Sequence, residues 1–143
     1  MRPTTNCSSG RSRDRRVLIV EDDPRVRSAL SELLTASGRF CVGGVAATAR
    51  DALDAGDWLD VALVDVLLPD LEDGLSVIRA LAADGHPVVA LTASAAVRAA
   101  SLAAGATTFL EKDSRPDALL AALHRSTPST REALGPLCQS VAG

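Results

Sequence analysis

Five short runs recur along the chain at helix-length intervals, at Val17 to Val20, Phe40 to Val45, Val61 to Val64, Pro87 to Leu91 and Thr107 to Leu110, several of them apolar on consecutive residues. A strand with one face in water alternates apolar and polar residues, whereas a strand covered on both faces need not. The runs therefore predict parallel strands sandwiched between helices. The stretches between them carry a helical period: Val26, Leu30, Leu33 and Leu34 mark one apolar face, and Leu75, Ile78, Leu81 and Ala82 another. Gly38, Gly56, Gly85 and Gly105 each close such a stretch, as the left-handed residue after a helix commonly does. A fifth helix is expected from about Pro116 to His124, with proline in its first turn and Leu119, Leu120 and Leu123 facing inward. The pattern is that of a five-stranded, doubly wound α/β domain.

With 143 residues there is room for one such domain and little else. Residues 1–15 read as a basic arm that buries little: the one basic cluster, Arg11, Arg13, Arg15 and Arg16, follows on Ser8, Ser9 and Gly10 and includes Ser12. The domain itself is expected over 16–126. Residues 127–143 read as a linker or tail, because Gly135-Pro136 would break any helix capped by Ser129 and Glu132 within two turns. A net charge of −3 lacks the basic excess that direct nucleic-acid binding draws on. No apolar run approaches the ~18 residues of a membrane span, so a cytoplasmic, soluble chain is expected. Cys7, Cys41 and Cys138 are odd in number and lack metal-ligand spacing, which predicts reduced thiols. His86 and His124 have no ligand partner at helical spacing and are assigned no chemistry.

In an open parallel sheet, ligands bind beyond the carboxyl ends of the strands. Strand one runs into Glu21-Asp22-Asp23-Pro24, strand three into Asp65, strand four into Thr92 and strand five into Glu111-Lys112. Asp23 before Pro24 suits an N-cap. That leaves Glu21, Asp22 and Asp65 as converging carboxylates; two such charges ~5 Å apart repel by roughly 3 kcal/mol at an effective dielectric of 20. A cation must offset this, and hard oxygen ligands with room for water suit Mg²⁺. Lys112 is the sole lysine among 15 basic residues. A compact ammonium suits a single phosphoryl or carboxylate oxygen better than arginine's planar fork does. Thr92 can donate a hydroxyl, although threonine in a strand is unremarkable on its own and Ser94 could cap the next helix.

Together these residues suit phosphoryl transfer to a carboxylate. Asp65 would attack phosphorus, Mg²⁺ held by Glu21 and Asp22 would neutralise equatorial charge, and Thr92 and Lys112 would contact the remaining oxygens. Other classes fit less well. A dinucleotide enzyme would place a glycine-rich, phosphate-binding loop where three acids stand. A haloacid-dehalogenase-type phosphohydrolase needs a second acid two residues after the nucleophile, where this chain has Leu67. A phosphorylation-independent interaction domain leaves the coincidence of four strand ends unexplained.

The ordered set Val17 to Pro24, Val64 to Pro69, Ala90 to Ala93 and Gly105 to Lys112 resembles the receiver domain of two-component response regulators, over about Arg16 to Arg125. The resemblance implies a flavodoxin-like strand order of 2-1-3-4-5. It implies Glu21 and Asp22 as the acid pair, Asp65 as phosphoacceptor, Lys112 as the phosphate-contacting amine, and the backbone carbonyl of Leu67 completing the metal shell. Thr92 would be the switch hydroxyl and Phe109 an aromatic that changes rotamer with it, though Phe109 equally suits a buried strand residue. A sensor histidine kinase would be the phosphodonor. Such a module is not an enzyme in the ordinary sense, since it catalyses only its own phosphorylation and dephosphorylation. Two departures stand out: Pro69 to Gly74 carries three acids and reads one residue longer than usual, and Lys112 is followed by Asp113 rather than proline. Lys112-Asp113-Ser114 resembles receivers joined to LuxR-type helix-turn-helix output domains, and no such domain fits in 127–143. The expectation is a receiver acting on a downstream protein, or the receiver segment of a transcription regulator. A phosphorylation-dependent homodimer is left open.

Overall fold

The computed structural model describes residues 15–54, 59–67 and 70–126. Five parallel strands form one sheet in the order β2-β1-β3-β4-β5: β1 (Arg15–Val20), β2 (Phe40–Ala46), β3 (Val61–Asp65), β4 (Val88–Thr92) and β5 (Thr108–Glu111). The connecting helices are α1 (Pro24–Ser37), α2 (Ala49–Leu53), α3 (Leu71–Ala83), α4 (Arg98–Ala104, preceded by a 3₁₀ turn at Ala95–Val97) and α5 (Pro116–Ser126). This is the doubly wound order that the resemblance implies. The predicted arm and tail, with Gly56, Leu68 and Pro69, lie outside the described residues, except that β1 opens at Arg15, inside the stretch read as arm.

The consecutive apolar runs are explained by two cores. Leu18, Val20, Ala62, Val64, Val88 and Ala90 face one side of the sheet and pack under α3 with Leu75, Ile78 and Leu81. Their alternates Val17, Ile19, Val61, Leu63, Val89 and Leu91 face the other side, against Leu34 of α1 and Leu119, Ala122 and Leu123 of α5. The central strands β1, β3 and β4 are buried on both faces from Val17 onward. The edge strand β2 takes a register irregularity opposite Val17 and Leu18 and exposes Val45, as edges commonly do.

Caps follow the predicted chemistry. The Asp23 carboxylate accepts from the Arg25 amide at 2.9 Å with Pro24 in the first turn, and α1 ends at Gly38 with φ +74°. Ser94 Oγ accepts from the Ala96 amide at 3.2 Å and so caps the 3₁₀ turn. The acidic stretch read as a long loop is largely the start of α3. Asp70 is its N-cap, accepting from the Asp73 amide at 3.1 Å, and Glu72 and Asp73 sit in the first turn, where negative charge favours the helix dipole.

Cys41 takes part in a disulfide, which corrects the expectation of three reduced thiols. Spacing along the chain says nothing about which distant cysteines the fold brings together, and both other cysteines lie outside the described residues.

Gly74 is fixed by sterics. A Cβ there would collide with the backbone carbonyl of Val66, so α3 can lie down on the segment after β3 only without a side chain at this position. At Gly38 a Cβ would meet nothing within 4 Å, and only the left-handed backbone resists substitution. Gly74→Ala is therefore expected to cost about 3 kcal/mol and Gly38→Ala about 1 kcal/mol, as read by urea denaturation; equal costs would contradict the packing argument.

Candidate functional site

Four strands deliver chemistry to one edge. β3 and β4 each run one residue further than the apolar pattern predicts, so Asp65 and Thr92 are the last residues of their strands and inherit the rigidity of the sheet. Glu21 follows directly on β1, and its amide donates to the Ala46 carbonyl of β2 at 2.9 Å. Lys112 follows β5, its amide donating to the Thr92 carbonyl at 2.7 Å.

The side chains converge. One carboxylate oxygen from each of Glu21, Asp22 and Asp65 lies within 4.8 Å of the others. The Lys112 ammonium reaches into the same cluster, 3.0 Å from Glu21 Oε1 and 3.2 Å from Asp65 Oδ2. The other Asp65 oxygen accepts from the Leu67 amide at 3.1 Å, so both of its oxygens are held. Glu21 is 1% exposed and Asp65 4%, while Asp22 faces solvent. Of the residues singled out from sequence, these four are brought together. Thr92 is fully buried at the adjacent strand end, and its Oγ1 accepts from the Ser94 amide at 3.3 Å. Leu67 is exposed beside Asp65. Phe109 is half-buried on β5 and packs against the α3 side of the core. A groove of about 450 Å³ runs alongside, lined by Asp23, Arg25, Val26, Ala29, Leu30 and Lys112.

The charges do not balance. Three carboxylates share one ammonium, and the buried Glu21 Oε1 has the Lys112 ammonium, 3.0 Å away, as its counter-charge. Burial pushes Glu21 up to about 7; the Lys112 contact opposes this, and the neighbouring Asp65 charge adds to it. Burial also acts against the Lys112 ammonium, but Glu21 and Asp65 outweigh it and hold its pKa above the ordinary lysine value. An all-oxygen donor set in which three carboxylates share a single ammonium fits a hard divalent cation such as Mg²⁺.

Sequence reasoning missed two residues at this edge. Arg27 of α1 donates from Nη1 to the carbonyls of both Glu21 (2.8 Å) and Asp22 (3.3 Å). Its position one turn into a helix that follows an acidic loop was the available signal. Gly74 supports the segment after Asp65 from below, and only the fold reveals that contact.

Fold and site together define a doubly wound α/β module whose carboxyl edge gathers acids and a lysine in place of a nucleotide-binding glycine loop. The family profile described as "Response regulator receiver domain" matches residues 17–124, and the chain belongs to that family. It is 41% identical over 123 residues to response regulator MprA of Mycolicibacterium vanbaalenii, a match that covers 79% of this chain and 52% of the relative. The chain thus spans about half the length of the curated relatives it matches. Among solved structures it resembles chemotaxis protein CheY4 of Vibrio cholerae, with 30% identity, TM-score 0.69, and coverage of 79% of this chain and 98% of that one. It also resembles a LuxR-family response regulator from Aurantimonas sp. SI85-9A1, with 25% identity, TM-score 0.71, and coverage of 78% and 84%. The protein is a receiver domain of the two-component response-regulator type, a signalling module. No helix among the described residues is long and apolar enough to cross a membrane.

The raised pKa of Glu21 has a definite sign in stability. Between pH 4.5 and about 7 the folded state holds a proton that the unfolded state has lost. Stability of the metal-free protein therefore falls as pH rises through that window. Glu21→Gln removes this titration. Without divalent metal, the melting temperature of the variant relative to wild type is expected to rise on the order of 5 °C between pH 5 and pH 8. A pH-independent difference would show that Glu21 ionises normally.

Proposed function

We propose that this receiver accepts a phosphoryl group on Asp65 and that the modification switches its partner-binding surface. The observation that carries the reading is the convergence of Glu21, Asp22, Asp65 and Lys112, three carboxylates served by one ammonium. Glu21 and Asp22, with Asp65 and the Leu67 carbonyl, would hold Mg²⁺. When bound, the ion supplies positive charge to the equatorial oxygens of the transferring group and relieves repulsion among the acids.

The chain's own residues do the rest. The Leu67 amide and Lys112 fix the plane of the Asp65 carboxylate, which orients an oxygen for in-line attack on phosphorus. One P–O bond forms to Asp65 as the bond to the donor's leaving group breaks. Lys112 then exchanges its contact with Asp65 Oδ2 for a phosphoryl oxygen, and Thr92 donates its hydroxyl to another. Ala93, small and exposed beside Thr92, leaves the acyl phosphate open to water, so the module catalyses its own phosphorylation and dephosphorylation. Phe109 would change rotamer with Thr92. The donor is a sensor histidine kinase, the setting is the cytoplasm, and the receiver unit runs from Arg15, where β1 opens, to residue 126, with an arm before it and a linker or tail at 127–143. The output is a downstream protein or a DNA-binding domain joined to the receiver, with dimerisation of the phosphorylated form as one route. Moving an equilibrium from 1:99 to 99:1 takes roughly 5.5 kcal/mol of differential interaction, within reach of a doubly charged group placed beside an ammonium and a divalent ion.

Wild type incubated with radiolabelled phosphoramidate is expected to acquire acid-stable, alkali-labile label that chelation of Mg²⁺ prevents. Asp65→Asn should reduce labelling at least a hundredfold while leaving the fold intact by circular dichroism. Undiminished labelling of the variant would remove Asp65 from the acceptor role.

A further inference from the structure

The loop between β1 and α1 must hold three consecutive acids, Glu21, Asp22 and Asp23, against their mutual repulsion. Two of its amides have partners: Glu21 donates to the Ala46 carbonyl at 2.9 Å and Asp23 donates to Glu21 Oε2 at 3.3 Å. Its carbonyls turn toward α1, where one guanidinium nitrogen collects two of them. Arg27 Nη1 lies 2.8 Å from the Glu21 oxygen and 3.3 Å from the Asp22 oxygen. The Arg27 amide itself donates to the Asp23 carbonyl at 2.9 Å, so the side chain springs from the first turn of the helix and reaches back over the loop.

We propose that Arg27 is a positioning residue for the divalent-cation site, an inference that rests on the function proposed above. Fixing the carbonyls of residues 21 and 22 fixes the peptide planes on both sides of Asp22, and with them the direction in which its side chain leaves the backbone. Asp22 needs this most. Glu21 and Asp65 are buried and held by neighbours, whereas the Asp22 carboxylate is exposed and accepts no hydrogen bond among the described residues. A planar, two-hydrogen terminus serves two adjacent carbonyls in one fixed geometry, which an ammonium on a flexible stem does less well.

Two effects of Arg27 have opposite sign, and this makes the assignment testable. As a positive charge near three acids, the guanidinium weakens cation binding; as a brace of the loop, it strengthens it. Arg27→Lys keeps the charge and loses the fork, while Arg27→Ala loses both. Titration of MgCl₂ into the purified full chain by calorimetry, with Arg79→Ala as a surface-arginine control, separates them. Loss of a group that orients ligands typically costs 10–100-fold in metal affinity. Arg27→Ala is expected to raise the Mg²⁺ dissociation constant about tenfold, Arg27→Lys to give an intermediate value, and Arg79→Ala to match wild type. The Mg²⁺ concentration that half-saturates phosphoramidate labelling should rise by the same factor as the dissociation constant. If Arg27→Ala does not fold, Arg27→Lys carries the test. Mg²⁺ affinity equal to or tighter than wild type in the folded variants would reduce Arg27 to a structural contact or a competing charge and overturn the proposal. Failure of wild type to bind Mg²⁺ would overturn the functional reading beneath it as well, and the two failures are distinguished by the wild-type titration alone.

Discussion

Everything at the carboxyl edge follows from an unbalanced charge. Glu21 and Asp65 are buried within reach of Asp22, and the only ammonium among them is Lys112. A fold assembled for stability alone would not gather carboxylates this way, because each costs desolvation and repels the others. The rest of the structure meets that cost with rigidity. The acids sit on or directly after central strands whose side chains fill both cores, so they cannot move apart without disrupting packing on two faces of the sheet.

That arrangement also explains how residues ninety positions apart come to share one pocket. Parallel strands deliver their carboxyl ends to the same edge, and the order β2-β1-β3-β4-β5 makes β1, β3 and β4 consecutive neighbours. Glu21, Asp65 and Thr92 therefore stand side by side. Lys112 comes from the next strand over, and its amide is tied to the Thr92 carbonyl. The edge is one connected network, and a change in charge at Asp65 is felt at Lys112 directly and at the end of β4 through that bond.

The architecture was legible in the sequence because its signals are local. Consecutive apolar runs report burial on both faces, and Gly38, Gly85 and Gly105 do adopt positive φ. Asp23 and Asp70 cap their helices through the carboxylates that suit the role, though beside the receivers that this chain resembles the stretch Pro69 to Gly74 reads as a lengthened loop. The convergence of Glu21, Asp22, Asp65 and Lys112 was also legible, since a parallel sheet leaves few other places for residues after strand ends. What escaped the sequence depends on contacts between elements. Cys41 enters a disulfide that no spacing rule announces. The reach of Arg27 back to the Glu21 and Asp22 carbonyls depends on how the loop folds over α1, and the steric reason for Gly74 appears only once α3 is seen resting on Val66.

If the proposed function holds, the strand ends are where a switch would act. The Thr92 hydroxyl oxygen is engaged by the Ser94 amide, a contact within the loop leading to the 3₁₀ turn before α4. Turning that hydroxyl toward a phosphoryl oxygen would exchange one local contact for a charge-assisted one, roughly twice as strong as a neutral bond. Space vacated behind it would fall against β5, where Phe109 is only half-buried and the strand is the least covered of the five. The sheet therefore grades from the rigid centre that holds the acids to a looser margin at β5. Under the proposed function, a signal generated at Asp65 would pass to β5 through Thr92 and Lys112, the two residues joined by the β4-to-β5 hydrogen bond.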